Sequence, residues 1–79
     1  MKELQIGGVY RHFKGNCYYV KDIALHSETQ EEYIVYQALY GDYKTYIRTK
    51  DMFLEKVDTT REDNILKQEH RFELIDIKY

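Results

Sequence analysis

With 79 residues, the chain has room for one hydrophobic core and no second domain, so residues 1–79 are read as a single unit. Twelve Lys and Arg against fourteen Asp and Glu leave a net charge of −2, which excludes the overall basic excess of a general nucleic-acid coat. A single cysteine excludes an internal disulfide framework, and without a long apolar run there is no signal peptide or membrane helix; the expected setting is the reducing cytoplasm.

Short runs rich in Tyr, Val and Ile, bounded by Gly, Asn, Asp or Ser, predict strands at about 8–13, 17–25, 32–40, 44–48, 53–58 and 71–75. Lys14-Gly15-Asn16 joins the first two and Gly41-Asp42 the third and fourth, both short enough for hairpins. The second strand alternates as Tyr18, Val20 and then changes phase to Ile23, Leu25. That change predicts a bulge near Lys21-Asp22 that bends the strand around a corner. Thr49 is placed to cap a single helical turn over 49–52. Thr60-Arg61-Glu62-Asp63 resembles a capping box, so 60–69 admits a short helix or a polar loop. The expected fold is mostly β: a small antiparallel SH3-like barrel of five to six strands with one short helical turn, since strong bends are how a small sheet closes. Val20, Ile23, Val35, Leu39, Ile47 and Phe53 are the expected core.

The chain carries nine Tyr, three Phe and no Trp. A domain of this size buries only about 60–65% of its unfolded surface. Because a buried Tyr needs a partner for its hydroxyl, several of these rings belong at the core edge or on an exposed face.

Three motifs together resemble the small bacterial and phage family named domain of unknown function 1653. They are Gly8-Val-Tyr-Arg-His-Phe-Lys-Gly-Asn16, Ile23-Ala-Leu-His-Ser-Glu-Thr29 and Val35-Tyr-Gln-Ala-Leu-Tyr-Gly-Asp42. The resemblance spans about residues 8–57, with an echo at Arg71-Phe72. It implies a compact β domain in a cytoplasmic setting and no defined reaction. Members commonly show Trp-Val-Arg-Pro where this chain has Tyr46-Ile-Arg-Thr49; the arginine corresponds to Arg48. The segment 59–68 is longer and more charged than the family pattern.

Arg11, His12 and Lys14 precede the first turn, and Arg48 lies on a later strand that a closed barrel can bring near them. Arg supplies a planar fork and Lys a point charge for a phosphate or carboxylate; a solvated basic edge that blocks strand pairing is the plainer reading. His26, Ser27 and Glu28 sit where an apolar strand ends in a polar loop, either as functional groups on a scaffold or as turn caps. A triad of Ser27, His12 and Glu28 lacks the glycines of a nucleophile elbow. His12, His26, Glu28 and His70 show no metal-ligand spacing, so no metal or cofactor is expected.

The reading that follows is a non-catalytic binding module whose aromatic and basic surface takes an anionic ligand, nucleic acid or protein partner. Its candidate ligand-binding residues are Arg11, His12, Lys14, His26, Ser27, Glu28, Tyr36 and Arg48, all but Ser27 expected to converge on one face. The alternatives are a small enzyme using His26 and Glu28 as acid and base, and a structural or oligomer-forming domain; a monomer or homodimer is expected.

Overall fold

The computed structural model of the protein describes residues 4–77. Five strands, β1 (Gly8–His12), β2 (Cys17–Leu25), β3 (Glu32–Ala38), β4 (Thr45–Thr49) and β5 (Phe72–Ile77), form one antiparallel sheet in the order β4-β3-β2-β1-β5. The one helix among the described residues, α1 (Lys50–Phe53), follows β4, and Thr49 Oγ1 accepts the Met52 N–H at 3.2 Å as its cap. Neither it nor anything else among the described residues is a helix long and apolar enough to cross a membrane.

The predicted hairpins form because their turn residues accept left-handed backbone. Gly15 has φ +109° in the β1–β2 turn, and Gly41 and Tyr43 take φ +60° and +56° between β3 and β4. The predicted bulge is also present, as a register shift between Val20 and Asp22. It bends β2 and helps the sheet coil.

The coiling is severe. β3 and β5 are three strand spacings apart, about 14 Å in a flat sheet, yet the Tyr36 and Phe72 ring centroids lie 5.4 Å from each other. The curl is nevertheless incomplete: β4 and β5 do not pair, and the sheet stays open rather than closing into the expected barrel.

One reason is that the fifth predicted strand, 53–58, does not form. Phe53 instead ends α1 and plugs the concave face, stacked on Phe72 at 4.1 Å and fully buried. Behind it only a single bridge, Lys56 to His70, joins the segment to the rest. Residues 60–69 are turns without a helix, because the capping residues find other partners: Thr60 Oγ1 donates to Asp58 and Asp63 pairs with Arg61.

Tyr10, Val20, Ile34, Tyr36, Phe53 and Phe72 make the core. Val20 and Phe53 are where the sequence placed them, and Ile23 and Val35 are half-buried, but Leu39 and Ile47 are exposed. On β3 the winning phase is Ile34, Tyr36 and Ala38. Each phase carries one tyrosine, Tyr36 here and Tyr33 in the other, but the other phase would bury the Gln37 amide in place of Ala38. The buried phenols have partners: Tyr10 Oη accepts the Gln5 N–H at 2.9 Å, and Tyr36 Oη accepts from Arg48.

Candidate functional site on the concave face

Strand alternation sends His12, Tyr18, Tyr36, Tyr46, Arg48 and Phe72 to the inner face of the curl. Arg48 Nε donates to Tyr36 Oη at 3.1 Å, and its guanidinium carbon lies 5.9 Å from the Phe72 centroid. The guanidinium is thus held by a hydroxyl and a ring, and among the described residues no carboxylate oxygen comes within 4.0 Å of it.

Tyr18 is the hub of the aromatic wall. Its ring meets Tyr36, Tyr40, Tyr46 and Phe72 edge to face at centroid distances of 5.3 to 6.5 Å, and its hydroxyl lies 2.7 Å from that of Tyr40. Burial, reinforced by the Tyr40 hydrogen bond, pushes the Tyr18 phenol well above its ordinary pKa. Tyr40 and Tyr46 stand at the rim, each more than two-fifths exposed.

His12 forms the opposite wall, stacked on Phe13 at 4.4 Å and edge-on to Phe72 at 4.9 Å. Its Nδ1 accepts the Lys14 N–H at 3.1 Å, which closes the β1–β2 turn. Burial, then the positive charges of Arg71, Arg48 and Lys14, lower its pKa to about 4, against a small opposing pull from Asp63. The imidazole is therefore neutral at physiological pH and sits in a positive field. Arg71 is compensated by Glu55, whose carboxyl that hydrogen bond holds below its usual range. Arg61 is compensated by Asp63 while its guanidinium covers the Phe13 ring at 4.9 Å.

The eight residues singled out from the sequence do not fall together. His12, Tyr36 and Arg48 meet on the concave face, and Lys14 lies in the adjoining β1–β2 turn with its Nζ 5.9 Å from the Phe13 ring. Tyr36 is only 5% exposed, so it contributes through the hydroxyl that positions Arg48 rather than through an open ring. Arg11 alternates to the other face, where its Nε donates to Gln68 Oε1 at 2.6 Å. His26, Ser27 and Glu28 lie at the tip of the β2–β3 hairpin, separated from Tyr18 by about 20 Å of strand. There His26 Nδ1 accepts the N–H groups of Glu28 and Thr29 at 3.1 and 3.3 Å, a turn cap. The expected convergence of Arg11, His12, Lys14, His26, Glu28, Tyr36 and Arg48 on one face does not occur, because neighbouring residues on β1 point to opposite sides and the length of β2 carries His26 and Glu28 away.

Two surface clefts, one bordered by Lys56, Asp58 and Glu69 and the other by Glu31, Glu32 and Lys50, contain none of the eight. Sequence reasoning missed Arg71 and Phe72 as site residues, although their adjacent echo of the family pattern is a signal that points to them. It also missed the amide clamp of Asn64 and Gln68, both buried. Gln68 Nε2 donates to the Arg11 and His70 carbonyls, and Asn64 accepts the Gln68 N–H, so segment 58–70 is tied down beneath β1. Isolated polar residues in a charged segment carry no periodic signal.

The family described as protein of unknown function (DUF1653) matches residues 8–74. No curated protein matches the chain significantly. A crystal structure of a protein of that family from Bordetella bronchiseptica is similar at 30% identity and a TM-score of 0.76, over 100% of this chain and 96% of that one. The shared motifs contribute Tyr10, His12, Phe13, Tyr36 and Ala38 to the core and the concave face. The chain belongs to the DUF1653 family.

Proposed function

We propose that the chain is a non-catalytic binding module that takes an anionic ligand on its concave face. The observation that carries this reading is Arg48, a half-buried guanidinium oriented by Tyr36 and Phe72 with no carboxylate within 4.0 Å among the described residues, Glu55 acting on it from farther off. A cation held in this way is preorganised for a phosphate or carboxylate, because its orientation costs nothing at the moment of binding. Tyr46, 5.9 Å from Tyr36, and Tyr40 offer exposed ring surface at the rim of the same face, and Lys14 adds an exposed charge in the β1–β2 turn next to His12. The His26 and Glu28 pair lends no support to an acid–base reading, since His26 Nδ1 is engaged with the backbone.

Titration with inorganic tripolyphosphate and with a labelled oligo-dT, each across a salt series, tests the proposal. Binding should weaken as salt rises. Arg48→Ala should cost about 1.5–3 kcal/mol, the scale of a hydrogen bond to a charged group. Absence of binding by both probes at low salt, or equal affinity in Arg48→Ala, refutes it.

A further inference from the structure

We infer that β4 is a self-pairing edge, through which two copies associate antiparallel about a two-fold axis at Ile47. Among the described residues β4 pairs only with β3, which leaves its far side as an open strand edge. Such edges template further pairing unless proline, a bulge, charge, shortness or a covering element blunts them. On the five-residue β4 the one charge, Arg48, is held on the concave side by Tyr36. β4 has no proline, and its register with β3 runs without a shift.

The direction of its polar groups follows from one bond. Ala38 N–H donates to the Lys44 carbonyl at 2.9 Å. Antiparallel ladders alternate, so in the same register Tyr46 and Arg48 direct their N–H and C=O groups toward β3, while Thr45, Ile47 and Thr49 direct theirs toward the free side. Thr49, as N-cap, gives its carbonyl to the first turn of α1. A two-fold axis at Ile47 then makes four hydrogen bonds. Two join Ile47 to the partner's Ile47, and one at each end runs from Thr49 N–H to a Thr45 carbonyl.

The side chains complement one another in this register. Tyr46 faces the partner's Arg48 on the concave side, a cation beside a ring. Thr45 faces the partner's Thr49, and Ile47, 64% exposed in the single chain, is covered by its own copy. Other centres are worse: an axis at Tyr46 sets Arg48 against Lys44, and one at Arg48 sets two guanidiniums face to face. Beyond the five paired residues Lys44 would meet the partner's Lys50, which Glu32 partly offsets at 3.6 Å. That repulsion confines the contact to β4. An interface this short lies below the roughly 1,200 Å² of stable complexes, so the association is weak and dynamic.

Sedimentation equilibrium from micromolar to millimolar protein tests the pairing. The weight-average mass should rise from the monomer value toward twice it. Ile47→Lys, which sets two ammonium groups at the axis without touching the core, should weaken association at least tenfold at an unchanged thermal midpoint. In a Cys17→Ser background, Ile47→Cys should cross-link under mild oxidation, since directly paired Cα atoms lie about 5.5 Å apart, within disulfide reach. Thr45→Cys, which faces the partner's Thr49, should not. Monomer mass at every concentration, or equal cross-linking of the two cysteine variants, overturns the inference.

Discussion

Two histidines close two hairpins with the same local device, an imidazole Nδ1 accepting the N–H of a residue two positions later. At the β1–β2 turn His12 is packed between Phe13 and Phe72 and lies among Arg48, Arg71 and Lys14. At the β2–β3 turn His26 is exposed, with Tyr33 as its ring neighbour at 6.2 Å. The turn is therefore a property of the local sequence, whereas its electrostatic character is conferred by strands that arrive from elsewhere. The start of β5 makes the difference, since Phe72 and the preceding Arg71 reach His12, and among the described residues no such pair reaches His26.

The largest test of this contrast removes what β5 contributes. Phe72→Ala should destabilise the protein by about 3–5 kcal/mol in urea unfolding, because the ring is buried against Tyr36 and Phe53. Leu25→Ala beside the other turn, at a residue 59% exposed, should change stability by less than about 0.5 kcal/mol. Similar losses at the two positions would erase the distinction.

A second test uses pH. The folded pKa of His12 is lowered to about 4 from an ordinary 6.5, so between these values the unfolded chain binds more protons and stability falls as the solution is acidified. The half-exposed ring discounts the full shift, leaving about 1–2 kcal/mol lost from pH 6.5 to pH 4. Thermal midpoints of the parent and of His12→Asn, measured across this range, should differ in slope, with the variant flatter. Parallel curves would mean that the field at His12 does not act on folding.

The smallest expected effect is at the hairpin tip. His26→Ala removes a turn cap and should cost about 0.5–1 kcal/mol, the scale of a lost capping bond. It should also speed amide exchange at Glu28 and Thr29 while leaving anion binding unchanged. A loss of binding in this variant would bring the hairpin tip into the site.

Features set by near neighbours in the chain are legible in the sequence itself: four strands and the last one, the glycine turns, the bulge after Val20, and the Thr49 cap. Each depends on backbone preference or on alternation within a few residues. The phase of β3 is not, since Ile34 and Val35 compete on hydrophobicity alone and Tyr36 decides only when Arg48 is there to satisfy its hydroxyl. The site is half legible for the same reason. Charge and placement single out His12, Lys14, Tyr36 and Arg48, but adjacency also groups Arg11 with His12, and on a strand adjacency separates rather than joins. Residues 53–58 read as a strand because a short run holding Phe53, Leu54 and Val57 ends at Asp58, whereas Phe53 is drawn into α1 by the cap that precedes it.

The pairing of β5 with β1 joins residues some sixty positions apart, and this bears on how the protein is made. A nascent chain emerging from the ribosome can form the β1–β2 and β2–β3 hairpins as soon as they appear, but Phe72 must be exported before Tyr36 and Phe53 have their stacking partner. Until then β1 presents a bare edge and the aromatic rings face water. The folding rate is thus tied to long-range closure, and during synthesis the interval before β5 appears is when the chain is most exposed to aggregation and to the chaperones that prevent it.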